Sequence, residues 1–384
     1  MNGNKPLGLY IHIPFCAGKC PYCDFYSFAT DEKTMDRYCC AVKQSMHAWA
    51  AKLHRSFDSL YFGGGTPSLM GAQRLSTLVE TSLLAFGSPE NDRNKKNSTC
   101  PPEITVECNP SGVGGVGACF DFEKLARSGI NRLSLGLQSA VDSERMALGR
   151  KGPAADVTRA IQRAKSAGIT NISLDLMLGI PGQTIQSLGH SIEFCSNAGV
   201  THISAYMLKV EDGTPFALQK EKLVLPTEDE YCMFYLKVCE ELEKAGFMQY
   251  EISNFAQKGF KSQHNLKYWN GEEYLGIGPS AHSFIAGKRF YYEQDLQGFL
   301  DVSDPLQDGE GGDFEEYAML RLRLNEGLIE QETVDRYGFG IPKVMRERAK
   351  PFVEKQLLAA DVKGIRFTPK GFLLSNKILG DLLA

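Results

Sequence analysis

The chain has 384 residues, enough for two or three domains and a sizeable core. Its 42 lysines and arginines against 46 aspartates and glutamates leave a net charge of −4, so composition supplies no general attraction to nucleic acid or anionic lipid. No stretch approaches the roughly 20 apolar residues of a membrane span, and "MNGNKPLGLYIHI" lacks the basic head and apolar run of a secretory signal, so a cytoplasmic protein is expected.

The first predicted strand is "GLYIHI" (8–13), with Tyr10 and His12 on one face and Leu9, Ile11 and Ile13 on the other. It runs into "PFCAGKCPYCDF", which places Cys16, Cys20 and Cys23 within eight residues. Four thiolates saturate a [4Fe–4S] cube, so three leave one iron with an open position. A zinc ion with its fourth ligand elsewhere, His12 for example, fits the same spacing. His12 equally suits a hydrogen-bonded interior. The remaining eight of the eleven cysteines are scattered and read as small buried hydrophobes, not as a disulfide framework.

Further strands follow at "SLYF" (59–62), "ITVE" (104–107), "RLSLG" (132–136), "NISLDLM" (171–177) and "HISAYM" (202–207), with amphipathic helices such as 156–168 and 185–199 between them. Alternation of this kind implies parallel pairing with right-handed crossovers. Six units predict an incomplete barrel; eight close one in the usual way. Two segments interrupt the pattern. The polar stretch 87–102 reads as a solvated loop, and "SGVGGVGAC" carries a G-x-G-x-x-G spacing at Gly112, Gly114 and Gly117 that suits either a dinucleotide turn or a lengthened loop.

After residue 207 the alternation stops. A long helix is predicted over 226–246, with Pro226 and Thr227 at its start, and then an aromatic, strand-rich stretch over 247–300. The tail from about 313 reads as three helices followed by "GIRFTPKGFLLS" as two strands around a turn, a winged-helix-like pattern. Its mixed charge favours packing or a protein partner over DNA. Three regions are expected: a partial barrel over 1–225, a helix and strand extension over 226–310, and a C-terminal winged-helix-like domain over 311–384.

The C-x-x-x-C-x-x-C motif after the first strand of a βα barrel resembles the radical S-adenosylmethionine (SAM) superfamily. "FGGGTPS" (62–68), "VECNP" (106–110), "SLGLQS" (134–139), "ALGRKG" (147–152) and "LDLMLGIPGQT" (174–184) fall where that resemblance requires them, at or just beyond the C-terminal ends of strands. The resemblance implies a [4Fe–4S] cluster on Cys16, Cys20 and Cys23, with SAM chelating the fourth iron. Tyr22 would lie against the adenine, and Gly64, Gly65 and Thr66 would bind the methionine part. Glu107, Gln138, Arg150 and Asp175 would bind the ribose, amino-acid and carboxylate groups, with Tyr10 in the matching place before the motif.

Within the superfamily, "YIHIPFCAGKCPYCDF" and the tail "EEYAMLRLRLNEGL" (315–328) resemble the branch that holds the oxygen-independent coproporphyrinogen III dehydrogenase and the heme chaperone family HemW. The dehydrogenase has a further cysteine where Phe25 stands, and an N-terminal arm where only nine residues precede Tyr10. "HNLKYW" (264–269) resembles the heme-binding motif H-N-x-x-Y-W of the chaperones, which makes His264 the expected heme ligand beside Tyr268 and Trp269. The resemblance thus implies heme, and a heme-acceptor protein as partner. Its alternative is an enzyme, oxidatively decarboxylating coproporphyrinogen III propionates to vinyl groups.

Overall fold

The computed structural model describes residues 5–87, 101–110 and 120–384; the G-x-G-x-x-G segment and nearly all of the expected solvated loop lie outside them. Six strands, β1 (Leu7–Ile13), β2 (Phe57–Gly64), β3 (Glu103–Cys108), β4 (Arg132–Gln138), β5 (Asn171–Leu178) and β6 (His202–Met207), pair in parallel in chain order. Helices such as Glu32–Leu53, Gly71–Phe86, Ala155–Ser166 and Ile185–Asn197 make the crossovers. This is the expected incomplete (β/α)6 barrel.

Period-two alternation explains which residues go where. Leu9, Ile11, Phe62, Val106, Leu133, Leu135, Leu174 and Ile203 form one face and are fully buried. Each such side chain contributes on the order of 1.5–3 kcal/mol of burial. Polar residues form the other face, toward the barrel axis: Tyr10 and His12, Tyr61, Glu107, Ser134, Asp175, His202 and Ser204. An interior this polar has to be satisfied by hydrogen bonds or by a ligand.

The aromatic stretch after residue 247 extends the same sheet at both ends. At the β6 end, β7 (Met248–Gln249) and β8 (Asn254–Ala256) add antiparallel. At the β1 end, β9 (Tyr274–Ile277) adds parallel to β1, and β10 (His282–Ile285), β11 (Lys288–Tyr291) and β12 (Leu306–Glu310) continue antiparallel. The result is one twelve-stranded sheet with the strand order β12-β11-β10-β9-β1-β2-β3-β4-β5-β6-β8-β7.

Helix ends follow local chemistry. The long helix is Glu228–Lys244, started by a capping box between Thr227 and Glu230. "HNLKYW" lies on the short helix Gln263–Trp269, capped by the Ser262 side chain. In the tail, β13 (Leu328–Ile329), β14 (Leu358–Asp361) and β15 (Gly364–Phe367) form a small antiparallel sheet beside the helices Phe314–Arg321, Glu330–Tyr337 and Lys343–Glu354. The expected hairpin inside "GIRFTPKGFLLS" is corrected. β15 pairs with the preceding segment, and Thr368 caps a short helix, Pro369–Phe372. Threonine followed by proline is a helix start, and that local signal prevails.

Candidate functional site

The cysteine loop leaves β1 and is pinned at both ends. Cys16 N–H donates to Phe28 O at 3.0 Å and Phe28 N–H to Pro14 O at 3.0 Å, so residues 14–28 close on themselves. Cys16, Cys20 and Cys23 are free thiols, all partly exposed. The β2 turn passes directly beneath: Gly65 N–H donates to Ile13 O and Thr66 N–H to Phe15 O, both at 2.8 Å, and Thr66 Oγ1 lies 3.3 Å from Cys16 Sγ. A Cβ on Gly65 would sit 2.6 Å from the Phe15 carbonyl oxygen, and one on Gly64, at φ +107°, 2.7 Å from the His12 ring. Only glycine lets the two segments meet this closely. Gly64 and Gly65 therefore build the cradle of the cysteine loop.

Below the loop, charged side chains converge inside the barrel. Glu107 accepts from Tyr61 OH at 2.8 Å; burial, and then the neighbouring Asp175, push its carboxyl up to about 7. Asp175 accepts from Ser134 Oγ at 3.0 Å, and burial pushes it up to about 6. Arg150 donates to Tyr22 OH at 3.1 Å, while its buried Nε has no partner among the described residues. Gln138, at φ +68°, brings its amide beside the Arg150 guanidinium: a Cβ on Gly136 would be 3.0 Å from Gln138 Nε2 and 3.4 Å from Arg150 Nη2. Tyr22 packs near Phe216, with ring centroids 6.2 Å apart, against a small apolar cluster of Leu148, Ile180 and Leu208.

His12 resolves as an interior residue. Its Nε2–H donates to Tyr26 O at 3.0 Å, so Nδ1 is the acceptor for Tyr10 OH at 3.1 Å. Burial lowers its pKa. Both nitrogens are engaged, which removes it as a fourth zinc ligand in this arrangement.

His264 stands at the opposite end of the barrel, beneath the first residues of β2 and β3. It is 1% exposed; its Nδ1 lies 3.0 Å from Ser59 Oγ and its Nε2 2.8 Å from Tyr268 OH. Its ring stacks on Tyr61, with centroids 5.3 Å apart. Burial, with Lys267 and Arg132 nearby, pushes its pKa down to about 3. Both ring nitrogens of the expected heme ligand are hydrogen-bonded within the protein in this conformation. The helical setting of "HNLKYW" turns the histidine inward as a floor for the barrel.

Residues 10–195 match the model of the radical SAM superfamily, and residues 313–374 that of the HemN C-terminal domain. The chain is 34% identical to the heme chaperone HemW of Bacillus subtilis, over 97% of this chain and 98% of that one. It belongs to the HemW family of radical SAM proteins. It is also 33% identical to the mitochondrial radical S-adenosyl methionine domain-containing protein 1 of Bos taurus, over 100% of this chain and 88% of that one. The solved coproporphyrinogen III oxidase HemN of Escherichia coli shares the fold, with a TM-score of 0.78 at 21% identity, covering 99% of this chain and 90% of that one.

A HemW-family cluster and SAM can be tested against this geometry. Among the described residues, no three His, Cys, Asp or Glu side chains gather around one point as a single ion requires. A cube asks for something else, one thiolate on each of three irons, and Cys16 and Cys20 lie near enough to raise the Cys23 thiol by their charge after burial has done so. The orphaned Arg150 Nε suits a carboxylate. The residues present fit both groups.

Several contributors were not singled out from sequence. Ser134 and Tyr61 share faces with known candidates on predicted strands, so alternation could have found them. Phe216 could not be found this way. It reaches Tyr22 because its N–H donates to Pro21 O at 2.9 Å, a contact between distant parts of the sequence that no local pattern announces. Phe25 is 62% exposed within the loop.

Proposed function

We propose that this protein is a cytoplasmic heme chaperone that holds a [4Fe–4S] cluster on Cys16, Cys20 and Cys23, binds SAM beneath it, and passes heme to an acceptor protein. The cluster, with one iron left open, supplies a coordination position and redox chemistry for SAM. Arg150 and Gln138 receive the carboxylate and amino-acid end. Glu107 and Asp175 face the ribose hydroxyls, and with carboxyls raised toward neutrality each can donate as well as accept. Tyr22 and the apolar cluster around Leu148 and Phe216 cover the adenine. Gly64, Gly65 and Thr66 carry the loop and flank the methionine part, with Tyr10 below.

The observation that carries the cofactor reading is Arg150: a buried guanidinium with an unused donor, beside Gln138 and under three free thiols. The heme part rests on the family, whose bacterial relatives are named heme chaperones. Heme ligation by His264 would require its buried ring to give up the bond to Ser59 or the bond to Tyr268 first. Anaerobic reconstitution with iron and sulfide, followed by separate assays for hemin binding and coproporphyrinogen III oxidation, tests the whole reading. Hemin binding without turnover is expected; turnover without hemin binding would replace the chaperone by the dehydrogenase.

A further inference from the structure

Building on the heme-chaperone reading, we propose that heme is held in a lateral cavity between the end of β6 and the C-terminal domain, away from His264. β8 pairs with β6 only along His202–Ser204, and Ala205 N–H makes the last bond of that edge, to Ser253 O at 2.7 Å. Beyond it the side of the barrel opens into a cavity of about 510 Å³. That volume falls within the roughly 300–1,000 Å³ of small-molecule sites.

Its walls suit a flat apolar macrocycle with acidic substituents. Tyr206 and Met207 of β6 form one side, and Phe372 and Leu374 of the C-terminal domain the other. Met207 is 40% exposed and Leu374 49%, so large apolar side chains border an opening that none of the described residues fills. Two cations complete the lining. Arg323 donates to Ser375 Oγ at 2.8 Å and to Asn376 Oδ1 at 2.5 Å, and Lys377 lies exposed beside them. Neither forms an ion pair among the described residues, whereas Arg321 and Arg346 of the same domain do. Heme presents two propionates on one edge, which complement two unbalanced cations on one wall. Thioether and phenolate are both known axial groups for heme iron. The Tyr235 oxygen donates to Ile252 O and accepts from Gln249, and the Tyr206 hydroxyl is engaged with Ser204, which leaves Met207 at the cavity as the iron contact. Tyr206 lines the cavity and lies close enough to Asp175 to feel its charge, so heme held there would adjoin the cofactor end of the barrel.

Hemin titration of the reconstituted full chain, followed by its Soret band and compared with variants, tests the assignment. Met207→Leu should shift the Soret maximum, and Lys377→Glu should weaken binding about tenfold, the loss of one charge-assisted contact. Leu374→Glu, at an exposed position, should weaken it further. All three should keep wild-type iron content. His264→Asn should leave the spectrum unchanged in whatever fraction stays folded. Wild-type spectrum and affinity in all three cavity variants, or a spectrum lost only in His264→Asn, would overturn the site while leaving the chaperone reading intact. A wild type that binds no hemin would remove that reading, and this one with it.

Discussion

The two ends of the barrel interior are lined by the same six strands and are similarly polar, yet they are finished differently. At the floor the histidines close their own bonds. His264 joins Ser59 and Tyr268, and His202 lies 2.7 Å from Ser173 Oγ and 2.9 Å from Tyr250 OH. At the cysteine end, Arg150 keeps an unused Nε, three thiols stay free, and Glu107 and Asp175 crowd one another. Arg132 is the exception at the floor, with its own Nε unpartnered. The contrast separates structure from site: buried polarity that satisfies itself holds the fold, and buried polarity left open awaits a ligand.

The largest expected effect breaks the open end outright. Cys20→Ala should lose the cluster, taking iron from about four per chain to near zero by the cube's stoichiometry. Iron analysis after anaerobic reconstitution checks it, and full iron content in the variant would show the ligand assignment to be wrong. Next comes the floor. His264→Ala leaves the Ser59 and Tyr268 hydroxyls unpaired, each costing about 1–3 kcal/mol. Urea unfolding of the apo chain should show a loss of about 2–5 kcal/mol, cavity included, with the thiols still able to take iron. A stability equal to wild type would mean that the floor is not held by this residue.

These two regions were not equally legible in the sequence. Glu107 and Gln138 lie at strand ends and Asp175 inside a strand that alternation locates to within a residue or two, while the cysteines and Arg150 lie in the segments that follow β1 and the helix after β4. The structure brings them together because parallel strands in chain order bring their ends together. The position of His264 was not legible. "HNLKYW" names a ring and its aromatic neighbours, but whether the ring faces solvent or the barrel depends on which sheet end the helix covers. That is set by β9 adding beside β1, a long-range pairing. The tail hairpin failed for the opposite reason: a local signal, Thr368 before Pro369, was present and outweighed the strand pattern.

A smaller effect sharpens the open end. If Asp175 bonds SAM as proposed, Asp175→Ala should weaken its binding by roughly 1.5–3 kcal/mol, about 10- to 150-fold, with iron content kept. Equilibrium binding of SAM to the reconstituted variant reads it, and unchanged affinity would exclude Asp175 from the site.

The smallest effect is a difference in pH dependence. Glu107 has a folded pKa of about 7, above its ordinary 4.5, so the folded chain binds the extra proton. Its contribution to stability is complete below about 4.5 and declines as pH rises toward 7. His264 runs the other way. Its folded pKa is about 3, below its ordinary 6.5, so its contribution is present above about 6.5 and declines as pH falls toward 3. Apo Glu107→Gln should flatten the decline on the alkaline side, and His264→Asn the decline on the acid side. Unfolding midpoints across about pH 4–8 separate them, and identical profiles in the two variants would erase the distinction between the ends.

The central claim is that the three-thiol loop and the Arg150 set beneath it form one cofactor site. The most direct measurement is the electron paramagnetic resonance spectrum of the reduced, reconstituted protein, before and after SAM is added, in wild type and in Arg150→Ala. The wild-type signal should change on addition of SAM, and the variant, carrying the same iron, should respond only at much higher SAM concentration. A wild-type cluster whose spectrum ignores SAM, or an Arg150→Ala spectrum that responds at the wild-type concentration, would contradict it.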